Sequence, residues 1–140
     1  MKKTFLILSL VCFGFFSAQK SENYLEISYN SICCGTPSTD PVINYISVFQ
    51  KKNKTKTFEI FRQPGLGREG EFKLFVGTDQ LSPKMKAKFT SGLQNIINSQ
   101  NKADSKTSKG KIDFNSSETV KKATLLNIDN LIIYKKEQSK

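Results

Sequence analysis

The sequence predicts a single α+β domain in which an antiparallel sheet of about five or six strands packs against one main amphipathic helix. Several short segments alternate apolar and polar residues, as half-buried strands do. One longer segment instead repeats its apolar residues at spacings of three and four, as an amphipathic helix does. The chain of 140 residues is also short enough that one hydrophobic core, and therefore one domain, is expected.

Residues 1–18 have the pattern of a secretory signal peptide. Two lysines precede an apolar run over 5–16, and a serine–alanine pair follows it. The run has 12 residues, whereas a helix needs about 20 to span a bilayer. We therefore expect export to the periplasm or the extracellular space, with 19–140 as the mature domain and no transmembrane segment in it. A lipoprotein anchored through Cys12 is the alternative.

Four strands are predicted in the first half of the domain. Alternation in 24–29 predicts the first strand, and β-branched and aromatic residues in 42–51 predict the second. A turn would then lead into a third strand over 56–62, which forms a hairpin with the second. The fourth strand is predicted at 71–77, because its apolar residues fall on one face.

The clearest helix begins after Ser82, which is a good N-cap, with Pro83 at the first helical position. Gly92 should weaken this helix by up to ~1 kcal/mol relative to alanine, so the helix depends on tertiary packing. We expect its apolar stripe to rest on the sheet. The stripe consists of Met85, Phe89, Leu93, Ile96 and Ile97.

The last third of the chain has weaker patterns. Residues 101–110 contain no large apolar side chain and are predicted to form a mobile loop. A short strand is predicted at 111–114 and a closing strand at 131–135, whereas 118–128 fits a strand or a short helix. The expected core is Leu25, Ile27, Ile46, Val48, Phe58, Ile60, Phe72, Leu74, Met85, Phe89, Leu93, Ile96, Leu131 and Ile133.

The chain contains no histidine, which excludes several kinds of site. A Ser-His-Asp triad, a Cys-His pair and a histidine-ligated zinc all require that side chain. The segment 65–70 matches G-x-G-x-x-G, but a strand pattern follows it where a nucleotide site requires a helix. We therefore expect no metal, no cofactor and no enzymatic activity. A carboxylate-dependent enzyme is the last-ranked alternative.

Cys33 and Cys34 are the cysteines that remain after signal cleavage, and they are neighbours. In an oxidising compartment they can pair with each other, with another molecule, or not at all. The pair is a candidate redox or disulfide site, and a soft-metal thiolate pair is a further interpretation. The structural interpretation is that the two sulfurs stiffen a turn or pack beneath it.

The chain has a formal net charge of +10, and about +8 remains without the signal. Such charge can serve solubility alone or can recognise an anionic partner. Four further lysines lie in or directly after the predicted mobile loop: Lys102, Lys106, Lys109 and Lys111. A candidate anion-binding group lies at the tip of the predicted hairpin and consists of Lys51, Lys52, Lys54 and Lys56.

These observations favour an exported, non-enzymatic binding protein whose partner is a protein or an anionic cell-surface polymer. Nucleic acid is not an expected partner, because export separates the protein from it. The alternative is a redox- or thiol-dependent factor that acts through Cys33 and Cys34. No motif in the sequence points to a known family.

Overall fold

A computed structural model describes residues 20–106 and 110–135, and it confirms the predicted α+β class. The described residues form a six-stranded antiparallel sheet and three helices. In chain order the elements are β1 (Asn23–Ser31), α1 (Asp40–Asn53), β2 (Ile60–Gln63), β3 (Phe72–Gly77), α2 (Pro83–Asp104), β4 (Gly110–Phe114), β5 (Val120–Lys121), α3 (Lys122–Leu125) and β6 (Ile132–Ile133).

The strand order is β4-β1-β3-β2-β6, and β5 also pairs with β1. Tyr24 of β1 lies opposite Gly77 of β3 and also opposite Val120 of β5. A strand has only two edges, so β5 and β4 must share the edge of β1 that faces away from β3. The two short strands therefore follow one another along β1.

The main core lies between one face of the sheet and helices α1 and α2. Every second residue of a strand points to the same face. Cross-strand pairs such as Leu25 with Val76 and Ile27 with Leu74 therefore place their side chains on this face. The stripe of α2 supplies Phe89, Leu93 and Ile97 to the same cluster, as predicted. Aromatic rings join the layers: Phe89 contacts Phe49 of α1 and Phe58 of the following loop, with ring centroids 5.0 and 4.9 Å apart.

A smaller cluster lies on the opposite face of the sheet. Tyr24, Phe75 and Leu125 are buried there, and Phe61 of β2 packs against them. Leu125 belongs to α3, so this short helix covers one end of the face. Phe75 and Tyr24 were not among the predicted core residues. Where a sheet is covered on both faces, its strands do not simply alternate buried and exposed residues, so alternation does not identify the second face.

The predicted strand at 42–51 is wrong, because this segment lies within helix α1. Its buried residues are Val42, Ile43, Ile46 and Phe49, which recur at spacings of one, three and three. That stripe faces the core, and the burial of its apolar side chains outweighs the preference of β-branched residues for strands. Val48 falls on the outer face and is 61% exposed, so its predicted place in the core is also wrong.

The predicted hairpin is consequently absent, and β2 begins at Ile60. Ile133 is 63% exposed because it lies on the edge strand β6, so it is not a core residue as predicted. Four other predicted core residues are only half-buried: Ile60, Met85, Ile96 and Leu131.

The later elements agree better with the sequence patterns. The short strand predicted at 111–114 is β4, and the closing strand is β6. The segment 118–128, which fitted a strand or a short helix, contains both, since strand β5 runs directly into helix α3. Helix α2 continues through 101–104, where the predicted loop was to begin. Residues 1–19, 107–109 and 136–140 lie outside the described residues, and with them the predicted signal and part of that loop.

Candidate functional site

Helices α1 and α2 pack side by side in opposite directions. The Tyr45 hydroxyl in the middle of α1 donates to the carbonyl of Phe89 at 2.9 Å. The Gln100 amide, late in α2, donates to the carbonyl of Ser38 just before α1, at 2.8 Å. The last turn of α1 must therefore lie beside the first turn of α2.

This arrangement gathers lysines from two separate parts of the chain at one end of the molecule. These six lysines are all exposed, and none of them forms an ion pair within the described residues, 20–106 and 110–135. We call this group the basic pole. Its members are Lys51, Lys52, Lys54, Lys56, Lys84 and Lys88.

The predicted anion-binding lysines thus belong to a helix terminus and not to a hairpin tip. Lys51 and Lys52 occupy the last turn of α1, where cations are stabilised by the helix dipole. Lys54 ends the helix in a left-handed conformation, with φ of 50°. Lys84 and Lys88 of α2 were not in the predicted group, because only the packing of the helices brings them there.

Asp79, which lies shortly before α2, is held in place by hydrogen bonds. Asp79 accepts hydrogen bonds from the backbone N–H groups of Glu22 and Asn23, at 2.7 and 3.0 Å. Desolvation acts to raise the pKa of Asp79, but these hydrogen bonds and nearby Lys86 outweigh it and lower the pKa below its usual value. The carboxylate is therefore charged and committed to holding the start of β1.

Glu59 is similarly engaged. Its carboxylate accepts a hydrogen bond from the buried Tyr24 hydroxyl at 2.5 Å and lies 4.0 Å from the Lys122 ammonium. Burial, together with the hydrogen bond to Glu59, raises the pKa of Tyr24. Glu59 therefore ties β1 to the loop before β2.

The second predicted lysine group lies elsewhere. Lys102 is in the last turn of α2, and Lys106 follows that helix. Lys111 on β4 forms an ion pair with Asp113 at 2.7 Å. Lys109 lies outside the described residues. The basic pole lies at the start of α2, and this group lies near the end of that 22-residue helix. The group therefore does not contribute to the basic pole.

Cys33 and Cys34 are joined by a disulfide in the loop between β1 and α1. Both residues are exposed. Cys34 has a φ of 69° and Gly35 a φ of 102°, so the chain reverses at this point through left-handed backbone. The loop leads into the first turn of α1 and therefore lies at the end of the helix layer opposite the basic pole.

The glycine-rich segment joins β2 to β3, so a strand and not a helix comes directly after it. Gly65 and Gly70 have positive φ values of 75° and 84°, which fits a loop that needs glycine for its conformation. The backbone arrangement required for a dinucleotide phosphate is therefore absent from this loop.

A polar cleft of about 730 Å³ lies on the sheet face opposite the long helices. It forms because residues 115–119, between β4 and β5, bulge away from Leu25 and Glu26 of β1. Glu26 is paired with Lys73 at 2.7 Å, and Asp113 with Lys111. Lysines thus pair with two of the cleft carboxylates, whereas Glu118, which also lines the cleft, forms no ion pair within the described residues. The sequence offered no signal for the cleft, because a bulge depends on strand register.

Two further properties concern only the described residues. No group of three or more cysteine, aspartate or glutamate side chains there is placed to hold a metal ion. None of their helices combines the length and apolar character that crossing a bilayer demands.

Comparison with known proteins finds no matching family model, no similar curated protein and no similar solved structure.

Proposed function

We propose that the chain is an exported, non-enzymatic binding protein that attaches to an anionic cell surface through the basic pole. The observation that supports this is the convergence, at two adjoining helix ends, of six exposed lysines that form no ion pair in the described part of the chain. Export is supported by the charged, apolar and small-residue order of residues 1–18.

The strength of such attachment follows from general electrostatics. Each lysine near an anionic membrane contributes about 1 kcal/mol, and this contribution decays within a Debye length. Six lysines at one pole are therefore enough for reversible binding at moderate ionic strength. Salt should weaken the binding steeply, because the lysines are exposed and screened.

Cosedimentation with vesicles tests the proposal. The purified protein should bind vesicles of phosphatidylglycerol and phosphatidylcholine, and it should not bind vesicles of phosphatidylcholine alone. Replacing Lys51, Lys52 and Lys56 by glutamine should lower the affinity at least about tenfold.

A matched control removes the same charge far from the pole. Arg68, Lys102 and Lys106 are also exposed and have no ion pair in the described part of the chain. Their replacement by glutamine should change the affinity much less. Equal losses in the two triple variants would show that net charge, and not the pole, governs binding.

The redox factor is the second candidate, and the disulfide between exposed Cys33 and Cys34 favours it. In this proposal a dithiol reductant transfers two electrons and two protons to the bridge. The bridge then opens to two thiols, and the reductant becomes a disulfide. Two free thiols in the purified, air-exposed protein would contradict it. So would a Cys33→Ser, Cys34→Ser variant that retains full biological function.

A further inference from the structure

We propose that the outer edge of β6 is a self-association surface, through which two copies of this chain join their sheets in an antiparallel dimer with twofold symmetry. The inference goes beyond the proposed function, because it concerns a different surface and does not depend on anion binding.

The outer edge of β6 presents unpaired main-chain groups. Within the described residues β6 ends the sheet and pairs with β2 alone. The Tyr134 N–H donates to the Ile60 carbonyl at 2.9 Å. Alternate residues of an antiparallel strand direct their N–H and C=O groups to the same edge, so those of Leu131, Ile133 and Lys135 point away from β2. None of these groups has a hydrogen-bond partner in the part of the chain that the structure describes.

The strand at the other end of the sheet order, β4, is covered differently. The main-chain groups of Ile112 are hydrogen-bonded by the side chain of Asn101 from α2, at 2.8 Å each. An edge that keeps open donors and acceptors is a template for a further strand. The edge of β6 therefore lacks the side-chain cover that β4 has.

Exposed apolar side chains accompany the open edge. Ile132 and Ile133 are consecutive residues of β6, and they are 49% and 63% exposed. Successive side chains of a strand point to opposite faces, so β6 presents apolar surface on both faces of the sheet. A strand that pairs with β6 would cover these two side chains together with the main-chain groups.

The charges at the two ends of β6 favour a second copy of the chain as the occupant. Asp129 precedes the strand and Lys135 follows it. Both are exposed, and neither forms an ion pair within 20–106 and 110–135. Antiparallel pairing of two identical strands places the acidic end of each beside the basic end of the other, which is a stabilising arrangement across strands. The edge is therefore complementary to itself, as a twofold interface requires.

The same geometry keeps the basic poles of the two copies apart. The loop after α1 leads into β2, and its Phe58 packs against Phe49 of α1 with ring centroids 6.5 Å apart. The start of β2 therefore lies on the side of the basic pole, and so does the end of β6, which runs antiparallel to β2. Antiparallel pairing directs the two poles to opposite ends of the dimer, where screening weakens their repulsion.

The interface is small, because β6 is short. Stable protein–protein interfaces bury about 1,200–2,000 Å² in total, and smaller contacts are weak. We therefore expect a reversible dimer whose population rises with protein concentration.

Sedimentation equilibrium of the purified protein over a range of concentrations tests the inference and should show monomers in equilibrium with dimers. Ile133→Lys places like charges at the middle of the interface and should weaken dimerisation at least about tenfold. Val48→Lys makes the same exchange at a 61% exposed position of α1 and should dimerise as the parent protein does. Because both positions are exposed, both variants should fold normally, which circular dichroism checks.

A charge exchange at the same position provides a second test. Ile133→Glu should also dimerise poorly by itself. An equimolar mixture of Ile133→Lys and Ile133→Glu should form heterodimers, because antiparallel pairing brings position 133 of one copy within side-chain reach of position 133 of the other. Native mass spectrometry separates the heterodimer from both homodimers.

Three results would overturn the inference. The first is a parent protein that stays monomeric at every concentration. The second is a dimer that Ile133→Lys leaves unchanged, because such a dimer must use another surface. The third is a mixture of the two charged variants that forms no heterodimer. None of these results affects the proposed attachment, which is tested separately with vesicles and the Lys51, Lys52 and Lys56 variant.

Discussion

The side chain of Asn101 forms two hydrogen bonds with the backbone of Ile112. Its amide nitrogen donates to the Ile112 carbonyl at 2.8 Å, and its oxygen accepts the Ile112 N–H at 2.8 Å. Ile112 lies in β4, the outermost strand at this side of the sheet. Asn101 of α2 therefore occupies the place of a neighbouring strand and protects an edge that would otherwise be open for pairing.

Replacing Asn101 by leucine should lower the free energy of unfolding by about 2 kcal/mol. The substitution leaves the buried Ile112 N–H and carbonyl without partners. Denaturant titration measures the loss, and size-exclusion chromatography at rising concentration should show association through the opened edge. Asn95→Leu changes an exposed residue of the same helix and should be close to neutral. Equal stability of the Asn101 and Asn95 variants would contradict this account of the edge.

Gly92→Ala should destabilise the protein, although alanine is the better helix former. A Cβ atom at Gly92 would clash with the Tyr45 hydroxyl and lie 2.8 Å from its ring carbon Cζ, so the Tyr45 side chain would have to shift away from its hydrogen bond with the Phe89 carbonyl. Such overpacking costs about 1–3 kcal/mol, which exceeds the gain of up to ~1 kcal/mol in helix propensity. Thermal unfolding of Ser91→Ala, at the exposed neighbouring position, supplies the comparison. A Gly92→Ala protein as stable as Ser91→Ala would show that the helices do not need this close approach.

Asp79 should make stability depend on pH in the acid range. Its folded pKa is lowered, so its contribution is complete above the unfolded value of about 3.9 and is lost as the pH falls through the folded pKa. Asp79→Asn should be less stable at neutral pH and should show a flatter acid profile. Asp129→Asn removes an exposed carboxylate and should leave the profile unchanged. Parallel acid profiles for the parent and Asp79→Asn would contradict the assignment.

Buried tyrosines should limit stability at alkaline pH. Burial raises the pKa values of Tyr24, Tyr29 and Tyr45, and for Tyr24 the hydrogen bond to Glu59 adds to this. Because these folded pKa values exceed the unfolded value of about 10, their stabilisation is present below that pH and lost as the pH rises above it. The phenolate absorbance of these three tyrosines should therefore appear together with the loss of circular dichroism. Titration of all three near pH 10 in an intact fold would disprove this.

The local patterns were good guides where one face of an element meets the core. Alternation predicted β1 and β3, and the stripe with its Ser82 cap predicted α2. The same reasoning failed at α1, whose Val42, Ile43 and Ile46 suit a strand by residue type but a helix by spacing. The preference of single residues for strand or helix is a weak guide when the apolar residues of a segment could be buried in either conformation.

The amino-acid sequence by itself determined the excess of positive charge, the lack of histidine chemistry, the adjacent cysteines and the start and apolar stripe of α2. Only the tertiary structure decided that the last turn of α1 lies beside the first turn of α2, which brings their lysines to one end of the molecule. The reason is that α1 and α2 must both cover one apolar sheet face, and their antiparallel packing joins helix ends that are about thirty residues apart in the chain.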